Sequence, residues 1–247
     1  IARDAKMYSH KTTSIFETKF LEIFKEIVSK VRTTKKINYS IKEENLPTVS
    51  IITPTYNRKN FFPLAIYNYN SFEYPREKLE WIIVDDSESG KSVEHLLPIK
   101  QSRSKYNINY IRLDEKHTIG QKRNIAIENS NNSIIVCMDD DDYYYPKSIR
   151  NRVELLCGFS ERHEQIQAVC CATFAAFEIN KYISMINNKN YNLPFYHKLS
   201  PATLVFKREF VDLEDETKRF ADTDKYEAES LVKTRVNNIA EISWEDN

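Results

Sequence analysis

Four short apolar runs recur early in this 247-residue chain: "VSIIT" from residue 49, "EWIIV" from 80, "INYI" from 108 and "SIIVC" from 133. Each is short, rich in β-branched residues and followed by a stretch with helical periodicity, so each reads as a strand. A strand that is apolar at nearly every position needs cover on both faces, and alternation with helices supplies it. The expectation is an α/β fold with a mostly parallel central sheet flanked by helices. The intervening helices fall at residues 59–70, in a short piece at 91–97, in "GQKRNIAIENS", and in "PKSIRNRVELLCGF" with Pro146 in its first turn. Beyond about residue 160 the alternation loosens into strand-like "QAVCCATFAAFEI" and "ATLVFK", then a helix near 226–234. Ahead of the first strand, Ile15, Phe16, Phe20, Ile23, Phe24, Ile27, Val28 and Val31 mark an amphipathic helix over 14–31, capped by Thr13 or Ser14. Residues 1–46 are therefore expected to be a helical extension and linker, and 47–247 the main domain.

Open parallel sheets bind ligands beyond the carboxyl ends of their strands. Three polar clusters sit there: "PTYNR" (54–58), "DDSES" (85–89) and "DDDD" (139–142). If the fourth strand ran on to its end, Asp139 and Asp141 would point one way and Asp140 and Asp142 the other. Two carboxylates on one side cannot both ionise cheaply without a cation. They suit a hard divalent ion, Mn²⁺ or Mg²⁺, which keeps waters and phosphate oxygens as its other ligands. The glycine and distal glutamate of an EF-hand loop are missing from "DDDDYYYPKSIR". In "GQKRN", Gly120 is expected to precede a helix whose first turn carries Lys122 and Arg123. Cations are unfavourable at a helix N-terminus, so contact with phosphate would explain them. The plainer reading is a solvent-facing Lys122 with Arg123 paired to a carboxylate.

Composition removes other classes. Only three glycines occur, far apart, which excludes a P-loop and a G-x-G-x-x-G turn. Lys+Arg and Asp+Glu each total 36, so no net charge points to nucleic acid. No run of 18 apolar residues and no apolar leader appears, and Cys137, Cys157, Cys170 and Cys171 lack metal spacing. The expectation is a soluble, cytoplasmic protein without a transmembrane segment.

The stretches "VSIITPTYNR", "EWIIVDDSESG" and "HTIGQKRNIAIENSNNSIIVCMDDDDYYYP", in this order, resemble glycosyltransferase family 2, with "YEAESLV" a weaker match. The resemblance implies the GT-A fold, with a Rossmann-like nucleotide-sugar-binding half (47–150) and an acceptor-binding half (151–247). It also implies a UDP-sugar donor, Mn²⁺ or Mg²⁺, inverting transfer, and an unidentified glycan, protein or lipid acceptor. Carried over by position, it sets Pro54, Thr55 and Tyr56 against the nucleobase, with Arg58 beside them. Asp85 or Asp86 would accept from base or ribose, although Asp86 with Ser87 also reads as a turn cap. The family's acidic motif falls on Asp139, Asp140 and Asp141; Asp141 would meet the metal, and Asp139 the ribose or the metal. The family points mainly to Arg123 for the nucleotide. Its catalytic acid would fall at Ala228, a departure from the pattern. Glu227 borders the apolar face of Ala228, Leu231 and Val232, whereas Glu229 has the spacing of an exposed pair with Lys233. Glu227 is the expected base, with Glu229, Asp224 and Asp222 as rivals. A catalytically inactive sugar-nucleotide or glycan-binding module is the alternative; nucleotidyl transfer is disfavoured because "TPTYNRKNF" has no glycine.

Overall fold

A computed structural model describes residues 40–97, 107–161, 166–171, 175–178, 181–186, 199–216, 218–223, 228, 231–232 and 239–242. The expected helix at 14–31 and most of that at 226–234 lie outside the described residues. The main sheet belongs to the unit formed by Asn38–Phe174 and Asn187–Asn247. The sheet's strands are β1 (Val49–Thr55), β2 (Leu79–Asp85), β3 (Asn107–Arg112), β4 (Ile134–Cys137), β5 (Ala168–Cys171), β8 (Val205–Lys207) and β9 (Ile239–Ile242). Their spatial order is β3-β2-β1-β4-β8-β5-β9. β1 lies parallel to both β2 and β4, and β3 parallel to β2. β8 runs antiparallel to β4 and β5, while β9 is parallel to β5. The architecture is thus the expected α/β one.

All seven residues of β1 and all seven of β2 are buried, because helices cover both faces. On one face, α1 (Phe62–Ser71) lays Phe62 and Tyr69 on Trp81, with ring centroids 5.8 and 4.6 Å away. On the other, α2 (Ile119–Glu128) packs Ala126 and Ile127 against Ile52, Ile82 and Val84. The alternation of Trp81 with Ile82 divides the strand between these two cores. α1 starts three residues later than its periodicity suggests. Residues 58–61 form a turn in which Phe61 and Phe62 both donate to the Arg58 carbonyl, and Pro63 takes a first-turn position, where a missing N–H costs nothing. α3 (Ser148–Glu161) follows Pro146 by two residues.

The run "QAVCCATFAAFEI" is not one strand. Its first part is β5, buried between β8 and β9; its second is β6 (Ala175–Glu178), which pairs antiparallel with β7 (Ile183–Ile186) in a separate two-stranded sheet of another unit. Near the end of the chain, Val232 N–H donates to the Ala228 carbonyl, and Ala228, Leu231 and Val232 are buried together, as the expected helical face requires. Among the described residues no helix is long and apolar enough to cross a membrane, and the four cysteines are free.

Candidate active site

Because β1, β2 and β4 are parallel neighbours, their carboxyl ends open on one edge of the sheet. A cleft of about 340 Å³ there is lined by Pro54, Thr55, Tyr56 and Arg58 from the end of β1, Lys122 from α2, and Asp139, Asp140 and Asp141 from the end of β4. A second cleft of about 560 Å³, lined by Asp86, Ser87, Glu88 and Arg112, shares Tyr56 and Lys116 with the first.

Pairing of β4 with β1 ends at Ile52 and Cys137, with a last hydrogen bond from Met138 N–H to the Ile52 carbonyl at 3.0 Å, so no strand imposes alternation on the aspartates. Their surroundings sort them instead. The Asp139 and Asp141 side chains are 31% and 42% exposed, whereas Asp140 is 7% exposed and turns inward to accept from Thr55 Oγ1 at 2.5 Å. Asp142 is exposed, and its carbonyl accepts from Asn68 Nδ2 at 2.8 Å. Arg58 provides counter-charge, with Nη2 3.0 Å from Asp141 and Nε 3.9 Å from Asp140. Burial pushes the Asp140 carboxyl up to about 6; Thr55 and Arg58 oppose the rise, and the charges of Asp141 and Asp139 add to it.

The cations of α2 are held from below the cleft. Thr118 caps this helix and forms a capping box with Gln121, so the helix starts at Ile119 and Gly120 lies inside its first turn rather than ahead of it. Gly120 N–H donates to the Thr223 carbonyl at 3.3 Å. Lys122 is not solvent-facing: its Nζ donates to Asp86 Oδ1 at 2.7 Å and to the Thr55 carbonyl at 3.0 Å. Arg123 is buried under the acidic loop and donates to Asp139 Oδ1 at 2.8 Å. Burial works against its charge, but Asp139, Cys137 and Tyr144 together outweigh that and raise the guanidinium's affinity for its proton.

The acids closing β2 are also engaged. Asp85 is wholly buried and accepts from Ser87 N–H (2.8 Å), Val93 N–H (3.0 Å), the Tyr110 hydroxyl (2.7 Å) and Arg112 Nη1 (3.4 Å). Burial would raise its pKa, yet the hydrogen bonds from Ser87, Val93 and Tyr110 bring it below the ordinary carboxylate range. Asp86 accepts from Lys122 and from His117 N–H at 2.7 Å. Glu227, Glu229 and Asp224 lie outside the described residues; Asp222 is exposed, 3.5 Å from Arg219 Nη2.

Three contributors were not singled out from the sequence. Asn57 adopts φ 56°, a left-handed conformation that asparagine tolerates, and joins two loops: its N–H donates to Ser87 Oγ and its Oδ1 accepts from Glu88 N–H. The asparagine of "PTYNR" was a readable signal for that turn. Lys116 places Nζ 4.6 Å from the Tyr56 ring centroid, in cation–π range. Arg112 closes β3 and was placeable by the same strand-end rule.

Among the described residues no three His, Cys, Asp or Glu side chains close on an ion. A Mg²⁺ or Mn²⁺ ion that keeps waters and phosphate oxygens needs only one or two carboxylates, and Asp139 and Asp141 offer hard oxygen donors at the cleft surface. The donor set fits.

The model of glycosyl transferase family 2 matches residues 50–203. The chain belongs to glycosyl transferase family 2. No curated protein sequence matches it. Among solved structures it resembles S. aureus TarS 1-349, at TM-score 0.59 and 17% identity over 79% of this chain and 58% of that one. The same protein in complex with UDP-GlcNAc gives TM-score 0.56 at 18% identity, over 79% of this chain and 56% of the other. The mannosyltransferase PcManGT from Pyrobaculum calidifontis, in complex with GDP-Man and Mn²⁺, gives TM-score 0.55 at 18% identity, over 94% of this chain and 64% of the other. This chain therefore spans about three-fifths of the length of these structures. At such identities the likeness concerns the fold, which is GT-A, as the family 2 motifs lead one to expect.

Proposed function

We propose that this chain transfers a hexose or N-acetylhexosamine from a UDP-sugar to an acceptor hydroxyl, with inversion, using Mn²⁺ or Mg²⁺. The observation that carries the reading is one cleft shared by the Tyr56 loop and the three carboxylates of the β4 end. Solved structures of similar fold with UDP-GlcNAc, and with GDP-Man and Mn²⁺, support a nucleotide-sugar donor and a dication.

On this reading Pro54, Thr55 and Tyr56 take the nucleobase, the Tyr56 ring offering an aromatic face already flanked by Lys116. Asp139 and Asp141 would hold the cation, which when bound neutralises the departing diphosphate. Arg58 is half-exposed and can turn from Asp141 toward diphosphate oxygens. Arg123 donates to Asp139 and aims its carboxylate, and Lys122 holds the Thr55 and Asp86 loops together. Glu227, or its rivals Glu229, Asp224 and Asp222, takes the acceptor's proton. The acceptor oxygen then bonds to the anomeric carbon as the carbon–oxygen bond to diphosphate breaks, the electron pair leaving with UDP. The described stretch before these acids is tied to α2: Phe220 N–H donates to Asn124 Oδ1, and Asn124 Nδ2 donates to the Phe220 carbonyl.

A second reading, a module that binds nucleotide sugar without transferring it, draws on Ala228. Its methyl packs in the core with Leu231 and Val232 where the family carries an acid. UDP-sugar hydrolysis and transfer, measured with and without Mn²⁺ across a set of acceptors, separate the two. Metal-dependent turnover is expected for the wild type and its loss for Asp141→Ala, whose half-exposed ion pair is worth about 1 kcal/mol or less to the fold. Full turnover in that variant would overturn the proposal.

A further inference from the structure

The acidic loop hangs on few contacts, and two come from side chains that no motif singled out. Tyr144 is buried beneath the loop at 5% exposure. Its hydroxyl accepts from Asp139 N–H at 2.9 Å and donates to the Ala202 carbonyl at 2.9 Å. One phenol thus joins the first aspartate of the loop to the turn that leads into β8. The backbone N–H of Tyr144 donates to Asn68 Oδ1 at 3.2 Å, and Asn68 Nδ2 returns to the Asp142 carbonyl at 2.8 Å. Asn68 is itself fully buried in α1. The loop's first and last aspartates are therefore each fixed through the backbone, leaving the carboxylates of Asp139 and Asp141 at the cleft surface. The Arg152 guanidinium lies 5.8 Å from the Tyr144 ring centroid and donates to the Thr203 carbonyl at 2.8 Å, which holds both the ring and the 201–203 turn.

We infer that Tyr144 is a positioning residue: its hydroxyl sets the Asp139 peptide so that the carboxylates of the loop meet the dication and diphosphate together. The inference rests on the proposed nucleotide-sugar site. Removing the oxygen leaves the Asp139 N–H without this acceptor and unties the loop from the 201–203 turn, while the ring still fills its space under Arg152. A net hydrogen bond of this kind is worth about 1–1.5 kcal/mol, so occupancy that depends on loop geometry should weaken roughly 5–12-fold.

The test is Tyr144→Phe, with UDP affinity measured by calorimetry in two arms, with Mn²⁺ and with EDTA. In the wild type, Mn²⁺ should strengthen UDP binding. In the variant, the Mn²⁺ arm should weaken by the stated factor while the EDTA arm stays put. General damage to the fold would weaken both arms alike, and that outcome overturns the inference, as does a variant equal to the wild type in both. Wild-type protein that binds UDP in neither arm overturns the proposed function and this inference with it. Wild-type binding strengthened by Mn²⁺ alongside an unaffected variant overturns this inference alone. Should Tyr144→Phe fail to fold, Asn68→Ala, which strips the loop's other support, runs through the same arms with the same expected split and the same overturning outcomes.

Discussion

Replacing Lys122 with methionine asks whether its ammonium is a structural counter-charge or a ligand-facing one. The Lys122 and Asp86 side chains are 4% and 0% exposed, with Nζ 2.7 Å from Oδ1. Methionine keeps the unbranched apolar stem but strands the Asp86 carboxylate in the interior, with the His117 N–H still donating to it. Breaking an exposed ion pair costs about 1 kcal/mol or less, whereas removing one partner of a buried pair costs roughly 3–5 kcal/mol. For a domain of about 200 residues, each kcal/mol moves the melting temperature by about 2–4 °C, so the expected fall is about 6–20 °C at neutral pH. Thermal unfolding followed by circular dichroism measures it. The double variant with Asp86→Asn removes the stranded charge and should recover most of the loss. A phosphate-facing lysine would behave in the opposite way, melting with the wild type when replaced and losing only nucleotide affinity. A melting temperature within about 2 °C of wild type therefore refutes the buried-pair argument.

Asp85→Asn should destabilise the protein by roughly 2–4 kcal/mol at pH 7, because an amide NH₂ would face donors that now meet a carboxylate. Since the folded pKa of Asp85 is depressed, its contribution is present above the unfolded value near 4 and is lost as pH falls through the folded value. Denaturant melts from pH 7 to pH 3 should show the gap between variant and wild type closing; a gap constant with pH contradicts this. Arg58→Ala should raise affinity for Mn²⁺ alone, read by the free-ion paramagnetic resonance signal, by up to about five-fold, the worth of a half-exposed pair with Asp141. Unchanged or weaker Mn²⁺ binding would show that Arg58 does not compete with the ion.

Legibility in the sequence followed how local the cause was. β1, β2 and β4 could be read within a residue or two of their bounds, because strands covered on both faces show as short, near-continuous apolar runs. The shared edge followed from their parallel order. β8 was harder: it is only three residues long, Val205, Phe206 and Lys207, and its antiparallel run between β4 and β5 depends on a connection that no local pattern encodes. The start of α2 was readable in Thr118 and Gln121, the two ends of a capping box, yet Gly120 drew the boundary past the true start at Ile119.

The site shows the same division more sharply. That Asp85, Asp86, Lys122 and Arg123 gather near the cleft follows from strand ends and a helix start. Which of them face it does not, because each is turned by a partner far along the chain: Asp85 by Tyr110 and Arg112, Lys122 by the Thr55 carbonyl, Asp140 by Thr55 Oγ1. The burial of these charges changes what they can do. A lysine that already donates to a carboxylate and a carbonyl fixes the distance between the loops that would receive a phosphate. The four aspartates that seemed electrostatically untenable as a sequence are divided by these partners into one held inward, two at the cleft with guanidinium counter-charges, and one anchored by its carbonyl. The fold therefore offsets part of the repulsion before any ligand arrives, and exchanging the Arg58 counter-charge for a dication is the step on which the proposed chemistry turns.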